Sequence, residues 1–264
     1  MIVVESVCHA FTRPGAPAQT VLDSINLTVP DGAFLSILGP TGCGKTTLLR
    51  IIDGLLRPTS GRVVIDGHPV LGPSADRAIV FQEFNLLPWR TARANVELGL
   101  ELQGVGRADR RRAGEAALGL IGLTRFAEHY PHELSGGMKQ RLGLARALCS
   151  GSRYLLMDEP FGALDLQTRE LMQIELAALL VRERKTVLFV THSVDEALLL
   201  SDHIVVLSAQ SARVLERIDV PWARPHPSEW PALRASAAFN EHRQMAWDLL
   251  ASQSHEFMAV GSAR

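Results

Sequence analysis

AFLSILGPTGCGKTTLLRII occupies residues 33–52, and its character changes twice along that length. AFLSIL (33–38) is a β-type apolar run that stops at Gly39, while the segment from Lys45 to Leu56 has helical spacing. Between them GPTGCGKT (39–46) fits G-x-x-x-x-G-K-[ST], in the strand-then-helix context that the motif requires. Its glycines let the backbone wrap a phosphate chain and aim N–H groups at the oxygens. On this reading Gly39, Pro40, Thr41, Gly42, Cys43, Gly44, Lys45, Thr46 and Thr47 form a nucleotide cradle. Lys45 bridges the β- and γ-phosphates, and the Thr46 hydroxyl sits on Mg²⁺. The bland alternative is a chance glycine turn. Cys43 reads as a small filler rather than a nucleophile, because the loop uses its backbone N–H; modification of its thiol would cost nucleotide binding.

A cradle with a metal needs a carboxylate, and LLMDEP (155–160) offers one. Its apolar residues read as a buried strand, with Asp158 at the end able to reach a Mg²⁺ shell. Glu159 follows, placed to orient or deprotonate a water attacking the γ-phosphate. The alternative is that both acids merely cap a helix. His192 ends the run TVLFVTH (186–192), where ligands gather in a nucleotide-binding α/β sheet, although a lone histidine is more often structural. Gln82 ends RAIVFQ (77–82) and could place its amide on Mg²⁺ or water.

Composition sets the outer bounds. The 264 residues are 47% hydrophobic and 21% charged, enough for a sizeable core. A formal charge of −1 gives no bulk attraction to nucleic acid or anionic lipid. RADRRRAG (107–114) is the local exception and reads as a solvated helix face. Three scattered cysteines, without a C-x-x-C pair, suggest neither disulfides nor zinc and fit a reducing cytosol. The N-terminus does not read as a signal peptide, and no apolar run approaches the roughly 18–20 residues that cross a bilayer. Any membrane role is therefore expected to come through a partner.

Short apolar runs alternate with helix-period segments, the pattern of an α/β chain. Strand signals vanish from about 91 to 150, where Ala, Leu, Glu and Arg recur at helical spacing. They return at RYLLMD (153–158), TVLFVTH and HIVVLS (203–208), with the helix-like stretch 166–184 between the first two. After about residue 220 the chain turns proline-rich, becomes modestly amphipathic, and is expected to fray over 254–264.

A second glycine-rich stretch, LSGGMKQRLGLARA (134–147), also reads as a helix entrance suited to an anion, but it has no P-loop lysine. GPTGCGKTT, Gln82, LSGGM, LLMDEPFGALD and His192, in that order, resemble the ATP-binding subunit of an ABC transporter. The resemblance covers about residues 2–215. It implies that Leu134, Ser135, Gly136, Gly137 and Met138 form the signature, whose helix start meets the γ-phosphate of ATP held by the opposite subunit. The second cradle then completes a site founded on another copy, and two chains, head to tail, sandwich two ATP molecules. Phe11 matches the aromatic that stacks on adenine, with apolar core as its alternative; Gln82 matches the Q-loop, Asp165 the D-loop and His192 the switch histidine. Met138 departs from the common Gln without touching the glycines and serine that do the phosphate work.

The implied fold is α/β, a P-loop NTPase core (a RecA-like mixed sheet flanked by helices) with an N-terminal antiparallel β portion and a helical subdomain insertion. The expected division is a nucleotide-binding domain over 1–220, its helical subdomain at about 88–150, and a partly helical extension over 221–264. The run 81–100 and LSGGMKQR look like the nitrate, sulfonate and taurine branch of bacterial importers. Trp89, with Leu86 and Leu87, is thus a candidate for contact with a membrane subunit, or alternatively packs two lobes together. The resemblance implies ATP and Mg²⁺ as cofactors, a homodimer or paired ATPase subunit, a transmembrane permease and, indirectly, a periplasmic solute-binding protein, with no nucleic acid. The expected place is peripheral, on the cytoplasmic side of the bacterial inner membrane. The rival readings are an exporter subunit, a soluble ABC ATPase acting on DNA or ribosomes, and a P-loop kinase or GTPase, which would have no need of LSGG.

Overall fold

A computed structural model describes the chain except Arg13, Ala16, Gln82, Glu83, Phe84, Ala163, Ala223 and residues 262–264; for 181–183 and 254–261 it describes the backbone alone. In chain order the elements begin with β1 (Ile2–Phe11), β2 (Gln19–Val29), β3 (Phe34–Leu38), α1 (Lys45–Asp53), β4 (Ser60–Ile65) and β5 (His68–Pro69). Next come β6 (Arg77–Val80), α2 (Ala92–Val96), α3 (Leu98–Leu102), α4 (Arg107–Leu120), α5 (Gly136–Cys149), β7 (Tyr154–Asp158) and α6 (Leu166–Glu183). The chain closes with β8 (Thr186–Val190), α7 (Val194–Leu200), β9 (His203–Leu207), β10 (Val214–Asp219), α8 (Trp230–Ala235) and α9 (Ala237–Gly261). Two compact units result: Met1–Pro73 with Arg184–Arg264, and Ser74–Glu183.

In the first unit, β3 lies between β8 and β9 and runs parallel to both, with Ile37 opposite Val190 and Leu38 opposite Val206. Strands covered on both faces read as unbroken apolar runs, and all five residues of β3 and of β8 are buried. Two polar residues interrupt them: Ser36 bonds the Ser201 hydroxyl at 2.5 Å, and Thr186 accepts from Gly32 N at 2.9 Å. Antiparallel β10 joins β9 and makes this sheet mixed. A second sheet, ordered β2-β1-β4-β5, is antiparallel throughout its ladders. Its alternation in β1 is broken at Ser6, where φ is +46° and the ladder register shifts. α1 stops short of the expected Leu56 because Gly54, in the left-handed region at φ +87°, returns its N–H to Ile51 O. A Cβ there would lie 2.4 Å from the Gly72 backbone, so no other residue fits without a shift.

The tail belongs to this unit. α9 packs on α7 and β9, and Phe239 is fully buried with the Trp222 ring stacked on it. Trp222 Nε1 donates to Leu198 O at 2.7 Å, while Arg224 pairs with Asp202 and donates to Gly32 O at 2.5 Å.

The second unit pairs β6 with β7 in parallel, Val80 opposite Met157. Helix α5 packs against α2, α3, α4 and β6 around Leu142, Leu144 and Ala145. α4 turns Arg107, Arg111 and Arg112 outward, with Asp109–Arg112 and Arg111–Glu115 ion pairs along that solvated face, while Arg110 is half-buried toward Glu97. Among the described residues no helix is long and apolar enough to cross a membrane.

Candidate functional site

Where β3 ends, the chain turns through Gly39–Gly44 into α1. Cys43 N–H closes the turn on Pro40 O at 3.3 Å. Gly44 adopts φ +115°, and a Cβ on it would press within 2.9 Å of both Val21 and Leu22. It caps α1 with no side-chain oxygen, and the first turn of α1 carries no acidic residue. The helix N–H groups and dipole therefore face the loop without a built-in anion. Lys45, 6% exposed, donates to Gly39 O at 2.7 Å and to Pro40 O at 2.9 Å. A buried ammonium held on carbonyls beside uncapped amides is an arrangement suited to a phosphate. Cys43 is buried, and its sulfur sits 2.9 Å from where a Gly39 Cβ would stand, which makes it the filler the sequence suggested. Burial pushes its thiol above the ordinary range, against the opposing pull of the Lys45 ammonium.

His192 follows the neighbouring strand β8. The strand ends at Val190 rather than at the histidine, which is exposed two positions on. Thr191, buried, anchors the turn: its N–H reaches Ile37 O at 3.3 Å and its hydroxyl donates to Glu196 at 2.5 Å. Ser193 caps α7 by accepting from Glu196 N. The loop 39–47 and His192 thus leave the carboxyl ends of adjacent parallel strands, the usual ligand edge of such sheets. Phe11, at the end of β1, is 45% exposed, so the apolar-core alternative does not hold. Its ring meets His9 edge to face at 4.7 Å and 81°.

In the second unit Asp158 ends β7 and is 3% exposed. Glu159 adopts φ +48°, a left-handed conformation that costs a branched-off side chain about 1–3 kcal/mol. The turn is closed by Gly162 N–H on Glu159 O at 3.1 Å. Adjacent acids in extended and left-handed conformations project differently, as their two expected tasks require. Nothing in the sequence announces the strained dihedral. Gln82 lies outside the described residues, two positions beyond the end of β6.

Asp165 caps α6, accepting from Thr168 N at 3.0 Å; the Thr168 hydroxyl first, and this backbone bond second, hold its carboxyl below the usual range. Ser135 caps α5 in the same manner, accepting from Met138 N at 3.3 Å, and α5 too has no acid in its first turn. A Cβ on Gly136 would meet nothing within 4 Å, and one on Gly137 would lie 3.4 Å from Leu164. Leu134 is buried and Met138 half-buried. The structure therefore brings the stretch 134–138 beside the Leu164–Asp165 turn and leaves its glycine face open.

Asn95 was missed in the sequence. Fully buried in α2, its carboxamide accepts from Leu87 N at 2.8 Å and donates to the carbonyls of Leu87, Arg90 and Thr91. That clamp fixes the loop on which Trp89 stands 70% exposed, with Leu86 and Leu87 half-buried beside it. An asparagine inside an otherwise apolar helical spacing was the available signal. Asn95→Ala is expected to lower stability by about 1–3 kcal/mol through the unpaired amides it leaves, read from the urea midpoint at constant slope.

Residues 22–162 match the ABC transporter family. Over 247 residues the chain is 48% identical to an uncharacterised ABC transporter ATP-binding protein of Methanocaldococcus jannaschii, covering 94% of this chain and 90% of that one. It is 41% identical to the taurine import ATP-binding protein of Pseudomonas aeruginosa, across 99% of this chain and 97% of that protein. Among solved structures, an ATP-binding cassette described as a dimeric post-hydrolysis state bound to ADP and Pi superposes with a TM-score of 0.77 at 33% identity, covering 84% of this chain and all of the other. With a lysine-bearing phosphate loop at one helix start and a serine–glycine entrance at another, the chain belongs to the ATP-binding, ATP-hydrolysing cassettes of the ABC transporter family.

Proposed function

We propose that two copies of this chain close head to tail over two ATP molecules and drive a membrane permease that imports a small anion of the sulfonate, taurine or nitrate kind. The observation that carries this reading is the second helix entrance. Ser135 caps α5 and Gly136 leaves its entrance open, with no acid in the first turn and no P-loop lysine. Such an entrance suits a phosphate already held by something else, namely the loop 39–47 of a second copy. Likeness to a taurine import protein over nearly its whole length supports the solute class.

Within each site the chain's groups take distinct tasks. Backbone N–H groups of 42–47 and the Lys45 ammonium hold the β- and γ-phosphates, and Phe11 offers its exposed face to adenine. The Thr46 hydroxyl, Asp158 and Gln82 would hold Mg²⁺, whose positive charge would offset that of the phosphates. Glu159 orients a water and accepts its proton; His192 donates to the γ-phosphate. Asp165 keeps its cap on α6 while facing the partner. ATP favours the closed pair because the Ser135 entrance touches it only there, so closure is driven by differential affinity.

Trp89 and its apolar neighbours receive the permease. Trp89→Ala is expected to leave the ATPase rate of the isolated chain within about twofold and to reduce its stimulation by the assembled transporter about tenfold, the size of a lost aromatic anchor. A fall in the isolated chain's own rate would place Trp89 in the ATPase fold instead. The reading as a whole is tested by purifying the chain with the membranes of its own cell. A polytopic permease together with a periplasmic binding protein is expected, and that protein can be titrated with taurine, alkylsulfonates and nitrate. Recovery with ribosomes or DNA would overturn it in favour of a soluble ATPase.

A further inference from the structure

His9 stands on β1 two residues before Phe11, opposite Leu22 of β2, and is only 7% exposed. Neither of its ring nitrogens has a hydrogen-bond partner among the described residues. An imidazole buried that way is unusual, since such groups are nearly always paired and the lack of partners is unfavourable. The specific contact its ring makes is the edge-to-face one with Phe11, centroids 4.7 Å apart and planes at 81°. Phe11 itself pairs with Gln19, two steps along β2 from Val21, whose side chain and carbonyl crowd Gly44 of the phosphate loop. At strand rise those two steps span roughly 7 Å, so the Phe11 ring is held near the phosphate loop by the same strand.

We infer that His9 is a positioning residue for nucleobase binding: buried beneath Phe11, its ring fixes the phenyl group in the orientation whose outer face stacks on adenine. An isolated, 45% exposed phenyl ring at the end of a strand would sample several staggered rotamers. Each time, the base would have to select the stacking one. A perpendicular ring packed below removes that choice before the nucleotide arrives, and an aromatic contact, not the nitrogens, supplies the constraint. The inference rests on Phe11 being the adenine platform, and its test separates the two.

The experiment measures the dissociation constants of ATP and of inorganic tripolyphosphate for the full chain by calorimetry, in the native protein and in His9→Ala, His9→Phe, His9→Gln and Phe11→Ala. The expected result is that His9→Ala weakens ATP about 2- to 10-fold, the weight of an aromatic pair, while tripolyphosphate binding stays unchanged. His9→Phe restores ATP affinity, and His9→Gln does not. If His9→Ala fails to fold, the contrast between Phe and Gln carries the test alone. Equal weakening of both ligands by the His9 variants, or rescue by Gln instead of Phe, overturns the inference. Loss of ATP affinity in Phe11→Ala with none in the His9 variants overturns it while sparing the platform. No loss in either removes the platform as well.

Discussion

Glu159→Gln is expected to lower kcat by about 10²–10⁴, the usual weight of a general base, and to convert the chain into an ATP-dependent dimer. The amide keeps the size and planarity of the carboxyl, so it demands of the turn at Glu159, with its φ of +48°, nothing the acid did not. The Gly162 N–H still closes on the residue's carbonyl, because that bond is backbone only. Lys45, the loop amides and α1 are untouched, and ATP affinity should stay within about threefold of native, as for a substitution that removes no ground-state contact. What disappears is the proposed proton acceptor. On the proposed head-to-tail closure, which depends on γ-phosphate contacts made by both chains, a protein that binds ATP without cleaving it is expected to accumulate in the closed pair. Light scattering with and without ATP reads this directly: a monomer in ADP and a dimer in ATP. A variant that stays monomeric at saturating ATP would sink the sandwich, and one that turns over at the native rate would move the base elsewhere.

The sequence made some parts of this molecule legible and hid others for identifiable reasons. The parallel strands β3, β7 and β8 are readable because both faces are covered and every residue is buried, which leaves a mostly apolar run interrupted only by Ser36, Asp158 and Thr186. The antiparallel strands β1, β2, β4 and β10 were not located one by one. Their half-buried alternation is irregular: β1 breaks step at Ser6, and β10 buries little besides Ile218. Boundaries shifted where a single dihedral decided them, as at Gly54, which ended α1 three residues before Leu56. The phosphate loop was legible because its glycines encode geometry directly; Gly44 is needed both for its φ of +115° and for its clearance from β2. Glu159 shows the reverse, a strained backbone under a residue whose side chain alone was read. Asn95 shows a third kind of blindness. Its value lies in four bonds to a loop before it in sequence, and no local pattern records where those carbonyls point. Phe11 was readable only as a pair of alternatives, and its exposure removed the core option.

Mixing two inactive variants is expected to restore hydrolysis, and this outcome tests the division of labour most severely. Lys45→Ala removes the ammonium that the loop holds against Gly39 O and Pro40 O, and should cut kcat/KM by about 10²–10³ as the phosphates lose their fixed charge. Ser135→Arg places a long side chain over the open entrance of α5, on the face where even a Cβ at Gly136 meets no neighbour. Each homodimer then has two damaged sites. In a head-to-tail pair of one chain of each kind, however, one site takes Lys45 from the Ser135→Arg chain and Ser135 from the Lys45→Ala chain, and is whole. The other site collects both lesions. Random pairing makes about half of the dimers mixed, each with one whole site, so an equimolar mixture should recover about a quarter of native turnover if sites act independently. Recovery should grow as the square of dilute total protein, because it requires association. If each chain served its own phosphate with its own α5 entrance, no combination of the two could yield an intact site, and the mixture would stay as inactive as its parts. The ATP affinity of the Ser135→Arg chain alone gives the internal check: it should remain native in the monomer, since the loop that binds first is intact.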